Sequence, residues 1–232
     1  MMNTPIKRIA FLTFLLLFLI PSSLLMAQSG QKKRFVIIDA AHGGIDGGVS
    51  VTDKVREKEI TLILSQLLQK ELAKMPGIQV QMTRTSDKTL SSADRRKIAT
   101  EAPADALFIS LHLNAGFGKN ATGYEIYFPG FKTAPEDKGG SKAILKDMVM
   151  NKSLNDSVRF AQMIQRNMEH VFPRKGRGLR DAPMPILSDL TITAAVLEMG
   201  FATNMDDRKK IMDEKTQQAI AQALSKSIRD FF

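Results

Sequence analysis

Arg34-Phe-Val-Ile-Ile-Asp39 holds four apolar residues in a row, ends at a carboxylate and runs straight into the glycine-rich Ala40-Ala-His-Gly-Gly-Ile-Asp-Gly-Gly48. Successive side chains of a strand point to opposite faces, so an unbroken apolar run needs cover on both. Such a run suits the interior of a sheet with a layer packed on each side. Asp105-Ala-Leu-Phe-Ile-Ser-Leu111 and Ala194 to Met199 repeat the pattern, and Ile78 to Thr83, Gly123 to Phe128 and Met184 to Ser188 are further strand candidates. Between them, Ile60, Ile63, Leu64, Leu67, Leu68 and Leu72 recur at helical spacing until Pro76-Gly77 closes the segment. Ser92 to Glu101 reads as a short helix, and Leu154, Val158, Ala161, Ile164, Met168 and Val171 form another apolar face. From Asp206 a last helix offers Ile211, Ala219, Ile220, Ala223, Leu224 and Ile228. This alternation predicts an α/β fold, a single domain with a twisted, mostly parallel β-sheet flanked by helices on both faces.

Two segments stand outside the alternation. Lys7 and Arg8 precede the apolar run Ile9 to Ile20, and Pro21-Ser22-Ser23 leads on to Ala27. Basic, apolar and small-residue regions in that order read as a secretory signal peptide over residues 1–27. The alternative is an uncleaved N-terminal membrane anchor, for which the run is short against a hydrocarbon core of about 30 Å. Either reading places residues 28–232 outside the cytoplasmic membrane: exported, periplasmic or envelope-associated, or secreted. Contact with a membrane is expected only if the segment is retained. Residues 129–155 include Pro135-Glu-Asp-Lys-Gly-Gly140 and a possible short helix from Ser141 to Met150, and read as an insertion. It either covers the site or is a substrate-binding or structural loop.

Parallel strands share one carboxyl-end edge, where open α/β sheets bind ligands. The chain has no cysteine and three histidines, so a metal would be held by imidazole and carboxylate. His42 follows the first strand and His112 the third, while Glu57 opens the helix that starts at the same edge. The three could hold zinc with a position left for water or substrate. Loop histidines and a glutamate favoured by the helix dipole are the plainer alternatives. Glu59 is turned away from Glu57, and Asp39 is a candidate acceptor for the other ring nitrogen of His42. Glu198 interrupts an apolar strand, so it either transfers protons at the metal edge or pairs with Arg84 or Arg95. Asn114 either orients substrate or caps its own loop. Ser110 and Ser188 read as structural, and His170 as the end of a helix.

Asp39-Ala-Ala-His-Gly-Gly-Ile-Asp-Gly-Gly48, Glu57-Lys58 fifteen residues beyond His42, Ser110-Leu-His-Leu-Asn-Ala115 and Val196-Leu-Glu-Met-Gly-Phe-Ala-Thr-Asn204 occur in that order. Together with Thr83-Arg84, Asp87, Arg95 and Arg177-Gly178-Leu179, they resemble the zinc-dependent N-acetylmuramoyl-L-alanine amidases of bacterial cell walls. The resemblance runs from about Phe35 to Phe231, nearly all of the expected catalytic domain, residues 28–232. It implies one catalytic Zn2+ on His42, Glu57 and His112, with Glu198 as the catalytic carboxylate. It also implies peptidoglycan or muropeptides as substrate, hydrolysed at the amide between the lactyl group of N-acetylmuramic acid and L-alanine. Zinc-activated water would attack, with Glu198 as general base and then acid. An activating protein is possible but is not identified by any motif. Alternatives are a zinc peptidase acting on another amide and a wall-binding protein without chemistry.

The chain departs from the family at Ala40-Ala41, where Pro-Gly is usual, and at Thr193, where proline is usual. A positive φ at Ala41 would cost about 1 kcal/mol. The excess of 33 Lys+Arg over 24 Asp+Glu gives a formal +9, which suits anionic wall polymers. Arg174-Lys175-Gly176-Arg177 and Arg208-Lys209-Lys210 are basic clusters that read as solvated faces, and Arg177 could contact stem-peptide carboxylates. With two tyrosines, no tryptophan and no reading motif, nucleic acid is not an expected partner.

Overall fold

The computed structural model describes residues 33–118, 120–130, 141–182 and 184–232. Six strands run β1 (Arg34–Ala40), β2 (Ile78–Met82), β3 (Leu107–Asn114), β4 (Tyr124–Pro129), β5 (Gly176–Ala182) and β6 (Thr193–Phe201). They form one sheet in the order β2-β1-β3-β6-β4-β5. β1 is parallel to β2 and β3, and β3 to β6; β4 runs antiparallel to β6 and carries β5 parallel to itself. The apolar runs therefore do what their composition requires. Val36, Ile38, Leu107, Ile109 and Leu111 point into one core, and Ile37, Phe108, Ala194 and Val196 into the other.

The first core lies under α1 (Glu57–Leu72), the long helix α3 (Ser141–Met168) and the C-terminal α5 (Glu214–Phe231); α5 packs against both α1 and α3, and α1 and α3 pack on the sheet. α1 contributes Ile60, Leu64, Leu68 and Leu72, and α5 contributes Ile220, Leu224 and Ile228. Full burial of each such side chain stabilises by about 1.5–3 kcal/mol. The second face is covered more thinly, by Ala99 of α2 (Ser92–Thr100) and by Ile186, Leu187, Leu190 and Ile192. The short α4 (Met205–Met212) follows β6.

Three elements differ from the sequence expectation. Met184 to Ser188 is a turn rather than a strand, and the strand in this region is β5, Gly-Arg-Gly-Leu-Arg-Asp-Ala. β5 is an edge strand, so it has no second neighbour that would demand an apolar run. The possible Ser141 to Met150 helix and the Leu154 helix are one continuous helix. Ile144, Leu145, Met148 and Val149 are exposed, outside the buried stripe of Leu154, Ala161, Ile164 and Met168, which is why the pattern looks broken. The C-terminal helix is two, parted at Asp213, whose carboxylate accepts from Thr216 N at 2.8 Å and caps α5.

The expected signal or anchor, residues 1–27, lies outside the described residues, as do residues 131–140 of the expected insertion. No described helix is long and apolar enough to cross a membrane.

Candidate metal centre

β1 and β3 lie side by side with Ala40 level with Leu111, so the chain leaving β1 turns over the end of β3. That puts His42 close to His112, with ring centroids 5.3 Å apart. α1 starts at the same edge and delivers Glu57 between them. One ligand atom from each of His42, Glu57 and His112 lies within 4.8 Å of the others. His42 Nε2 stands 3.1 Å and His112 Nδ1 3.3 Å from Glu57 Oε1. Leu113 N donates to the same oxygen at 2.9 Å, and Val49 N to Oε2 at 3.0 Å. Burial opposes ionisation of Glu57, but the bonds from His112 and His42 outweigh it and take the carboxyl down to about 2.

The other nitrogen of His42, Nδ1, pairs with Asp46 Oδ2 at 2.8 Å. Asp46, missed in the sequence, takes the place expected of Asp39. With a carboxylate at each nitrogen, the His42 ring needs two protons. Burial works against this, yet Glu57 and Asp46 raise its pKa to about 8. A cation among the three groups would replace the proton facing Glu57. Two imidazole nitrogens and a carboxylate oxygen, with one ring oriented by a second carboxylate, fit zinc.

The loop carrying His42 is held from beneath by the two arginines considered above as partners of Glu198. Arg84 donates to the carbonyls of Ala40 at 2.9 Å, Ala41 at 3.0 Å and Lys58 at 2.8 Å. Arg95 donates to Asp39 Oδ1 at 2.6 Å and to the carbonyls of Ala40 at 2.7 Å and His42 at 2.6 Å. The carbonyls of Ala41 and His42, beyond the end of β1, thus find donors. Thr83 Oγ1 and Ser110 Oγ complete the shell of Asp39 at 2.7 and 2.5 Å, which gives Ser110 a structural place. The positive φ falls on His42 at 59°, not on Ala41. Gly48, at φ 64°, lies against the cluster: a Cβ there would meet Glu57 Oε2 at 2.5 Å and His42 Cδ2 at 2.7 Å.

Glu198 on β6 is level with His112 on β3 and with Glu125 on β4, so the three share one row and one face of the sheet. Its Oε2 is buried and finds no partner among the described residues. Burial pushes this carboxyl up to about 7. Glu125 is the second functional candidate that the sequence reading missed, although it interrupts an apolar strand just as Glu198 does. It accepts from Arg177 Nε at 2.7 Å, Arg180 Nη2 at 3.2 Å, Asn114 Nδ2 at 2.9 Å and Tyr127 Oη at 2.8 Å. Asn114 is therefore committed to Glu125. Glu59 turns back to accept from Arg56 N at 2.6 Å, and His170 lies exposed in the turn after α3.

Residues 36–230 match the family described as N-acetylmuramoyl-L-alanine amidase. The chain is 29% identical over 215 residues to the probable cell wall amidase LytH of Staphylococcus epidermidis, covering 92% of this chain but 63% of that protein. It is 23% identical over 229 residues to the N-acetylmuramoyl-L-alanine amidase AmiA of Escherichia coli, covering 89% of this chain and 78% of AmiA. The catalytic domain of CwlV, an N-acetylmuramoyl-L-alanine amidase from Bacillus (Paenibacillus) polymyxa var. colistinus, superposes with a TM-score of 0.71 at 25% identity. That match covers 85% of this chain and 97% of the domain. An N-acetylmuramoyl-L-alanine amidase from Clostridium difficile 630 gives a TM-score of 0.70 at 29% identity, covering 86% and 97%.

Proposed function

The chain belongs to the N-acetylmuramoyl-L-alanine amidase family, and we propose that it is an exported, zinc-dependent hydrolase of peptidoglycan. The bond cleaved is the amide between the lactyl group of N-acetylmuramic acid and L-alanine. Residues 28–232 form the catalytic domain and residues 1–27 the export signal. The observation that carries this reading is the convergence of His42, Glu57 and His112 within 4.8 Å, with His112 level with Glu198 across the sheet.

His42, Glu57 and His112 would hold one zinc ion, which when bound supplies a Lewis acid that polarises a carbonyl and acidifies water. Asp46 fixes the His42 ring so that Nε2 faces the site. Glu198 Oε2, buried and without a partner among the described residues, would accept a proton from water and return it to the departing alanine nitrogen. A carboxyl near pKa 7 holds and releases a proton with little bias at neutral pH. Hydrolysis in this form uses no nucleophilic side chain, in keeping with the structural commitments of Ser110 and with Ser188 donating to Met184 O at 3.3 Å.

The test is mass spectrometry of muropeptides digested by the purified protein with and without zinc. Free L-alanine amino termini on released peptides, appearing only with zinc, are expected. Cleavage within the peptides would favour a zinc peptidase, and wall binding with no released product would favour a non-catalytic binder.

A further inference from the structure

We propose that Arg177 and Arg180 form a binding site for a carboxylate of the peptide on the amine side of the scissile bond. This rests on the amidase reading and names the part of the substrate that the site recognises. The argument begins with a register shift. Tyr124 of β4 is level with Gly176 of β5, but Ile126 is level with Leu179, so two residues of β5, Arg177 and Gly178, face the single Glu125. Positions i and i+3 of a regular strand point to opposite faces; one extra residue restores them to the same face. Arg177 and Arg180 accordingly both reach Glu125 Oε1, at 2.7 and 3.2 Å. Glu125 is level with Glu198 on β6, so the pair of guanidiniums stands on the face that carries the candidate proton-transfer group.

Two arginines over one carboxylate leave an excess positive charge. Each side chain stays part-exposed, at 39% for Arg177 and 46% for Arg180, while Glu125 beneath them is 6% exposed. Among the described residues Arg177 spends only Nε on Glu125 and Arg180 only Nη2, which leaves the remaining guanidinium N–H groups for an outside acceptor. Arg177 is also laid over the Phe201 ring, its guanidinium carbon 5.1 Å from the centroid. Glu125 in turn is locked by Asn114 and Tyr127. The fork is thus pre-oriented, and planar forked donors match a carboxylate better than a neutral sugar face. In a muramyl peptide the carboxylates belong to the peptide, which fixes the side of the bond.

The experiment compares two muramyl peptides that differ only in whether the peptide carboxylates are free or converted to carboxamides. Binding is measured by calorimetry on the zinc-loaded Glu198→Gln protein, and kcat/KM on the unsubstituted protein. The free-carboxylate peptide should bind at least about tenfold more tightly, a factor equal to about 1.4 kcal/mol. Arg177→Gln with Arg180→Gln should erase that ratio, and Arg180→Lys should restore only part of it, because lysine keeps the charge but not the fork. A merely structural role would weaken both ligands equally and leave the ratio intact. If the double variant does not fold, the ratio in Arg180→Gln alone decides. Equal affinity for the two peptides in the protein with both arginines, or a ratio unchanged in the variants, overturns the proposal. A carboxylate preference without hydrolysis would sink the amidase reading and leave this site standing; hydrolysis without preference would do the reverse.

Discussion

Glu57 and Glu198 are buried carboxylates at one edge of the same sheet, and their surroundings drive them in opposite directions. Glu57 is wrapped by two imidazoles and two backbone N–H groups, and its pKa falls to about 2. Glu198 keeps an oxygen without a partner among the described residues, and burial raises its pKa to about 7. A carboxylate that is ionised at every working pH is suited to hold a cation. One poised near neutrality is suited to move protons. Environments that separate two like groups in this way divide the roles of a hydrolytic site.

The sharpest way to break the comparison is to neutralise each carboxylate in turn. Glu198→Gln should keep zinc and lower turnover by roughly 100- to 10,000-fold, the range for loss of a general acid–base group. Glu57→Gln should lose zinc, because the amide removes the charge that two histidines now share. Elemental analysis beside muropeptide turnover reads both effects. Equal zinc loss in the two variants would abolish the division of roles.

A second prediction targets the brace beneath Glu57's side of the site. Asp39 and Arg95 are both buried and meet at 2.6 Å. Asp39→Ala leaves the guanidinium buried without its counter-charge and should cost about 3–5 kcal/mol. Urea denaturation measures it. A midpoint close to that of the unsubstituted protein would show that the carbonyls of Ala40 and His42 suffice to hold Arg95.

The two pKa directions give opposite pH dependences in metal-free protein. Glu198, raised from 4.5 to about 7, contributes stability that is whole below its unfolded value and lost as pH rises through about 7. Glu57, lowered from 4.5 to about 2, contributes stability that is whole above 4.5 and lost as pH falls toward 2. Glutamine at position 198 has no charge to bury. Metal-free Glu198→Gln should therefore match the unsubstituted protein near pH 4 and exceed it near pH 8 by on the order of 3 kcal/mol. Urea titrations at the two pH values with chelator present decide it, and identical midpoints at both would remove burial as the cause of the raised pKa.

β1, β3 and β6 are legible in the sequence because burial on both faces forces an apolar run, and the breaks in those runs mark His112 and Glu198. β5 is not legible, since its exposed edge accepts Arg177, Arg180 and Asp181 without penalty. The place of Asp39 differs from the expectation for a related reason. Distance along the chain makes it a neighbour of His42, but its strand position points it into the sheet toward Ser110 and Arg95. Asp46 reaches the ring only because the chain folds back at His42, where φ is 59° and the Gly43 and Asp46 backbones pair. No periodicity reports such a turn. Glu125 carried the same signal as Glu198, a carboxylate in an apolar strand, and what was missing was that β4 lies beside β6 in the opposite direction.

That turn frames the smallest effect. Asp46 is 58% exposed and touches the proposed zinc only through His42 Nδ1, at 2.8 Å. Asp46→Asn keeps the size and an acceptor oxygen but removes the charge that makes the His42 ring a better donor. Metal affinity should fall by about 10- to 100-fold, the usual cost of losing such an orienting partner. Zinc competition with a fluorescent chelator reads the change, and turnover at saturating zinc should recover most of its value because Glu198 is untouched. A full recovery of affinity in Asp46→Asn would mean that the loop geometry set by Arg84 and Arg95 orients the ring unaided. Turnover that stays low at saturating zinc would instead extend the influence of Asp46 beyond metal binding and blur the separation between the Glu57 and Glu198 sides of the site.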